Sequence, residues 1–116
     1  MKALGIKGEI LAVKFLKGKG YQILRMNYKT PIGEIDIIAK DGNTLVFVEV
    51  KTRTDDFFGY PYEAVNERKK KKLRNVALLY LKKLSKELPV RFDILSILYR
   101  EKGKKEIEHI KDAFEI

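Results

Sequence analysis

Glu49 and Lys51 place a carboxylate and an ammonium two positions apart at the end of Leu45-Val46-Phe47-Val48-Glu49-Val50-Lys51, a run otherwise apolar. Side chains alternate across a strand, so both charges share a face with Leu45 and Phe47, while Val46, Val48 and Val50 fill the other. Burying either charge without a partner costs several kcal/mol, as much as the net stability of a small domain. A metal, a substrate or the pair itself must compensate.

A second carboxylate, Asp36, stands in the apolar stretch Glu34-Ile35-Asp36-Ile37-Ile38-Ala39. By alternation, Ile35, Ile37 and Ala39 point one way, and Glu34, Asp36, Ile38 and Lys40 the other. The intervening Asp41-Gly42-Asn43 is a hairpin signal, and the parity of its loop decides whether Asp36 shares the face of Glu49. An even loop is expected. A four-residue loop, Asp41 to Thr44, sets Asp36 directly opposite Glu49; a two-residue loop, Asp41-Gly42, makes them diagonal neighbours.

Two carboxylates at that distance repel, and one pKa rises unless a divalent cation lies between them. Oxygen-only ligands favour Mg²⁺ or Mn²⁺ over zinc, and Mg²⁺ keeps waters that substrate phosphates can replace. Such an ion polarises a scissile phosphate and activates water, with Lys51 orienting that water or offsetting charge at phosphorus. Glu9, on the first helix with Gly5, Ala12, Val13 and Leu16 as face-mates, would complete the metal shell. Each residue also has an ordinary reading: Glu49 with Lys51 as a structural ion pair, Asp36 as a loop cap, Glu9 as a solvated helix acid. Their combination favours the metal site.

The elements that must position them follow from periodicity. A helix is expected over Ala3 to Lys17, with Leu4, Leu11 and Phe15 near helical spacing and Gly18-Lys19-Gly20 as the stop. Strands are expected over Tyr21 to Tyr28, Glu34 to Lys40 and Thr44 to Arg53. A long helix from about Tyr62 to Leu88 carries the stripe Leu73, Ala77, Tyr80, Leu84 and Leu88, and Pro89 ends it. Val90 to Tyr99 is the fourth strand and Glu106 to Lys111 an edge strand. The second helix is long enough for a crossover, so strands 44–53 and 90–99 should be parallel neighbours. The expected fold is α/β: one domain over residues 1–116, αβββαββ, a mixed central sheet flanked by helices.

The 116 residues carry 25 Lys plus Arg against 16 Asp plus Glu, a net +9, which favours a polyanionic partner, nucleic acid before an anionic membrane surface. Arg68, Lys69, Lys70, Lys71, Lys72 and Arg74 supply six positive charges in seven positions of the second helix. A hydrated helix face is the ordinary reading of such a run, and phosphate contact the functional one. With no cysteine, disulfides and thiolate metal sites are excluded. No stretch is long and apolar enough to span a bilayer, so a cytoplasmic protein without membrane partners is expected. Phe57, Phe58 and Tyr60 lie close together in a loop beside the site and could touch unstacked bases, while Tyr21, Tyr28, Tyr80, Phe92 and Tyr99 read as packing. The lone imidazole, His109, reads as structural.

Gly33-Glu34-Ile35-Asp36-Ile37-Ile38 followed by Val46-Phe47-Val48-Glu49-Val50-Lys51-Thr52-Arg53 resembles the YraN-like family of endonuclease-related bacterial proteins. Gly8-Glu9, Gly59, Glu63-Ala64-Val65, the basic helix, Arg91-Phe92-Asp93 and Ala113-Phe114 extend the resemblance over nearly the whole chain. That family is similar in turn to the PD-(D/E)XK nucleases and archaeal Holliday-junction resolvases. The resemblance implies a restriction-endonuclease-like fold and Mg²⁺ or Mn²⁺ chemistry on DNA. It implies Asp36, Glu49 and Glu9 as metal ligands, and Lys51 with them as catalytic. Ile35 stands where the superfamily's naming proline would be, which leaves the carboxylate in place. Arg53 joins Arg68, Lys69, Lys70, Lys71, Lys72 and Arg74 as expected nucleic-acid contacts. The alternatives are a non-catalytic nucleic-acid-binding protein that keeps the fold, and a structural or partner-binding protein, such as a homodimer joined through a sheet edge or the aromatic loop.

Overall fold

The computed structural model describes residues 2–54 and 59–115, with side chains from Gly5 onward. Asp55, Asp56, Phe57 and Phe58 lie outside the described residues, so the expected aromatic loop is represented by Tyr60 alone; Leu4 is outside the described side chains.

Helix α1 (Lys2–Gly18) leads into strands β1 (Gln22–Thr30), β2 (Gly33–Asp41) and β3 (Thr44–Arg53). A short 3-10 turn (Pro61–Ala64) precedes α2 (Glu67–Leu81), then β4 (Val90–Tyr99) and β5 (Lys105–Phe114) follow, separated by a second 3-10 turn (Glu101–Gly103). This is the expected αβββαββ order. The five strands lie in sequence order in one sheet. β3 and β4 are parallel, and the other neighbours antiparallel. That parallel pair follows from α2, which carries the chain back to the starting edge of β3, where the Leu45 N–H donates to the Pro89 carbonyl at 2.8 Å.

Alternation in β3 and β4 sends apolar side chains to both faces, and a helix covers each. Val46, Val48, Ile37, Ala39, Leu95 and Ile97 pack with Ala12 and Leu16 of α1. Leu45, Phe47, Ile38, Phe92 and Ile94 pack with Leu73, Val76 and Ala77 of α2. Gly8 permits the close approach of α1 to β3: a Cβ there would lie 2.2 Å from Cγ2 of Thr52.

Two expectations need correction. The second helix does not run from Tyr62 to Leu88. It starts at Glu67, where the Asn66 side chain caps it by accepting the Lys69 N–H at 3.0 Å, and closes at Leu81. Beyond Leu81, bonds from Lys83 N–H to Tyr80 and from Leu84 N–H to Leu81 tighten the chain into turns. Leu84 and Leu88 still reach the same core, but from irregular backbone that must turn into β4. The edge strand is also longer than Glu106 to Lys111, extending to Phe114, which stacks on Phe92 at 4.6 Å.

Candidate active site

β2 and β3 pair from Asp41 opposite Thr44 to Ile37 opposite Val48, around the two-residue turn Gly42-Asn43. The loop is even, as expected, and Gly42 at φ 61 supplies the left-handed backbone such a tight turn needs. The register is the one that sets Asp36 against Glu49, one step beyond the last backbone pair. There the ladder gives way to side chains. The Val50 N–H donates to Asp36 Oδ2 at 2.8 Å, and a hydrogen bond joins the Asp36 and Glu49 carboxyl groups.

The pleat reverses at this point. Ile35 packs into the α2-side core whereas Ile37 packs into the α1-side core, although simple alternation places them together. The cause is local: Asn27 on β1, between the pairs Met26–Ile37 and Tyr28–Ile35, adopts φ 51, so the backbone flanking Asp36 is irregular on that side as well. The twist turns Asp36 toward a cavity of about 250 Å³ lined by Gly5, Glu9, Asn27, Lys29, Glu34, Asp36, Val50 and Thr52.

Glu49 is only 4% exposed. Its Oε2 has Lys51 Nζ at 3.6 Å and Lys69 Nζ at 3.3 Å. Burial, the Glu49 charge and the hydrogen bond to Glu49 push Asp36 up to about 8, against the opposing pull of the Val50 amide. The protonated form of Asp36 is therefore favoured, with its hydroxyl able to donate to Glu49. Burial also raises Glu9, helped by the charges of Glu34 and Glu49 and countered by Lys29.

The expected acids thus divide. Asp36 and Glu49 touch, and Lys51 joins them. Glu9 shares the cavity with Asp36 and acts on the pair through its charge. Among the described residues no three acidic or imidazole groups converge closely enough to hold an ion by themselves. The pair does suit a hard cation: two carboxyl groups in direct contact, Glu49 buried and Asp36 half-buried, need either a proton or a positive charge between them, and all their donors are oxygen.

The basic run also divides. Lys69 turns inward to Glu49. Lys70 pairs with Glu67 at 3.3 Å, and Arg74 donates to the Glu115 carbonyl at 2.6 Å while lying over the Phe114 ring. Arg68, Lys71 and Lys72 are exposed, as is Arg53 at the end of β3. Tyr60 stacks on Tyr62 at 5.8 Å, and the Tyr62 N–H donates to Ser96 Oγ, one strand across from Lys51.

Sequence reading missed three participants. Glu34 lines the cavity and was legible only as an acid beside Asp36. The basic run marks Lys69 as a phosphate contact, and the structure pairs it with Glu49. Tyr62 belongs to the separate turn Pro61–Ala64 and not to the second helix.

Residues 8–97 match the Uncharacterised protein family UPF0102. A UPF0102 protein of Thermodesulfovibrio yellowstonii is 53% identical over 111 residues, 96% of this chain and 95% of that one. The chain belongs to the UPF0102 family. Other UPF0102 relatives include one from Geotalea uraniireducens, 48% identical over 116 residues, covering 99% of this chain and 91% of its own. Another, from Dictyoglomus thermophilum, is 44% identical over 115 residues, covering 97% and 98%. The UPF0102 match contains Glu9, Asp36, Glu49, Lys51 and the whole basic helix. No helix among the described residues is long and apolar enough to cross a membrane.

Proposed function

We propose that this UPF0102 protein is a metal-dependent endonuclease that hydrolyses DNA phosphodiester bonds, with a preference for branched DNA of the kind junction resolvases cut. One observation carries the reading: Asp36 and Glu49, from different strands and otherwise apolar surroundings, bring their carboxyl groups into contact beside the ammonium of Lys51. A structural ion pair would need only one carboxylate. Buried groups with strongly shifted pKa values in a cleft mark functional sites more often than structural ones.

Asp36 and Glu49 would hold Mg²⁺ or Mn²⁺, with Glu9 acting across the cavity through its charge. Bound there, the ion supplies Lewis acidity toward a phosphate oxygen. Lys51, anchored to Glu49 and about a third exposed, faces solvent with the rest of its ammonium, where it would orient a water and offset charge developing at phosphorus. Arg53, Arg68, Lys71 and Lys72 would contact backbone phosphates without reading sequence, so affinity should fall steeply with salt.

The test is incubation of purified protein with Mg²⁺ or Mn²⁺ and linear, branched or single-stranded DNA. Cleavage is expected, best on branched DNA, and Glu49→Gln should lower it by about 100-fold or more without weakening DNA binding. Absence of cutting on all three substrates would overturn the catalytic assignment. One observation favours a second reading, a DNA-binding protein without turnover: among the described residues only two carboxyl groups meet here, with Glu9 standing off. On that reading DNA binding persists in both parent and Glu49→Gln, and no metal-dependent product forms in either.

A further inference from the structure

We infer that Lys69 is a tethered rival of the divalent ion for Glu49, so that ion loading and nucleic-acid binding are coupled through this one side chain. The inference rests on the reading of Asp36 and Glu49 as the metal site and deepens it.

The contested atom is Oε2 of Glu49. Lys69 Nζ stands 3.3 Å from it and Lys51 Nζ 3.6 Å, from opposite elements, α2 and β3. A divalent ion ligated by the same oxygen would sit about 2 Å away and bring two more positive charges to a side chain that is 5% exposed. Three cationic groups cannot crowd one nearly dry oxygen. One lysine must leave.

The structure decides which one. Lys51 is built into β3 between β2 and β4, with its backbone paired beside Ser96, so its stem begins inside the sheet. Lys69 stands on the first turn of α2, its side chain is 35% exposed, and only its far end reaches the site. The Asn66 cap fixes its backbone amide and leaves the four-carbon stem free to swing. Its neighbours cannot replace it: Lys70 is held by Glu67, and Arg74 by Glu115 and the Phe114 ring.

Once released, the Lys69 ammonium lies among the exposed Arg68 and Lys72 on a surface beside the site, where a DNA phosphate is its natural partner. The exchange then runs both ways. A phosphate that draws Lys69 off Glu49 vacates the oxygen for the ion, and an ion that expels Lys69 adds a cation to the DNA-binding surface. Thermodynamic reciprocity requires the two enhancements to be equal. The protein on its own would hold its metal weakly, and gain affinity for it on meeting substrate.

The experiment compares the parent, Lys69→Met and Lys69→Arg, with folding checked by circular dichroism. Mn²⁺ affinity is measured by calorimetry without DNA. Affinity for a labelled duplex with phosphorothioate linkages, which resists hydrolysis, is measured by anisotropy with and without Mn²⁺. Lys69→Met should bind Mn²⁺ about tenfold more tightly than the parent, and Mn²⁺ should strengthen duplex binding by the parent far more than by the variant. Lys69→Arg, which keeps the charge, should behave as the parent. Equal Mn²⁺ affinity in parent and Lys69→Met overturns the rivalry while leaving the metal site standing. Absence of Mn²⁺ binding in every folded variant overturns both.

Discussion

Two aspartates are sunk into the same sheet, and their surroundings push them in opposite directions. Asp93 on β4 is 1% exposed, and every approach to it is taken by a donor. Arg91 gives it two N–H bonds, at 2.9 and 3.2 Å, His109 Nε2 approaches at 2.7 Å and the Asp112 amide donates at 3.1 Å. Burial alone would raise this carboxyl; the bonds from His109, Arg91 and Asp112 outweigh it and hold Asp93 below its ordinary value. The cluster extends outward, with Arg91 reaching Tyr21 at 2.6 Å and Asp41 at 3.2 Å, and Lys19 meeting the other His109 nitrogen at 3.0 Å. It ties α1's end, β2, β4 and the edge strand β5 together.

Asp36 has one backbone donor and, as its nearest charged neighbour, another carboxyl group. Burial is therefore no guide to what a carboxylate is for; the charge of its partners is. Asp93 is finished as it stands, whereas Asp36 and Glu49 form a pair that a cation would complete.

The largest effect should come from breaking the finished cluster. Asp93→Ala takes the acceptor from Arg91 Nε, His109 Nε2 and the Asp112 amide, leaving Arg91 only Tyr21 and Asp41, and should cost about 3–5 kcal/mol in urea unfolding. Asp36→Ala removes two hydrogen bonds, with the Val50 amide and with Glu49, but at a site that opens on a cavity where water can replace them, so it should cost less, about 1–2 kcal/mol. Equal losses at the two sites would erase the distinction.

The next effect is pH dependence, of opposite sign at the two sites. Asp36 rises from 3.8 to about 8 on folding, so its proton stabilises the folded chain at acid pH, and that stabilisation is lost as pH climbs through this window. The slope should approach but not exceed about 1.4 kcal/mol per pH unit, the limit for one proton, and solvent screening on the cavity side narrows the window. Asp93 lies below 3.8 when folded, so its contribution is present above that pH and is lost only on further acidification. Unfolding followed from pH 3 to pH 8 should therefore show both limbs. Asp36→Asn should flatten the upper one and Asp93→Asn the lower one; a parent curve flat between pH 4 and pH 8 would contradict the shift at Asp36.

Much of the acid pair was legible because it depends on local rules. Gly42 fixes the loop, loop parity fixes the face, and the apolar run around Glu49 makes its charge conspicuous. Both parallel strands, Thr44–Arg53 and Val90–Tyr99, fall where alternation and Pro89 place them. The pleat reversal at Asp36 was not legible, since it arises from the backbone of Asn27 on another strand. Nor was the Asp93 cluster, whose Tyr21, Asp41, Arg91 and His109 are far apart in sequence and show no periodicity. The end of α2 misled for a different reason: Leu84 and Leu88 keep their place in the core, so the apolar pattern continues after the helix has stopped. Lys69 was correctly placed on the basic helix, but periodicity does not say where a long flexible side chain points.

The smallest effect tests where the acid pair ends. Glu9 lines the cavity of Asp36 yet influences it through space, as one of the charges that raise it. Glu9→Gln keeps the shape and removes that charge, so the Asp36 pKa should fall and affinity for Mg²⁺ should drop about fivefold, well short of the loss in Glu49→Gln. Equal losses would make Glu9 a direct ligand that draws in with the ion. Helix α1 has little room to do so, because Gly8 already rests against Thr52, and a methyl group at Gly8 would collide with its Cγ2. Gly8→Ala must therefore turn the Thr52 side chain or push α1 outward, and in the second case it carries Glu9 with it. If Glu9 acts only by charge, this displacement should weaken Mg²⁺ binding no more than Glu9→Gln does, because moving a charge away cannot cost more than deleting it.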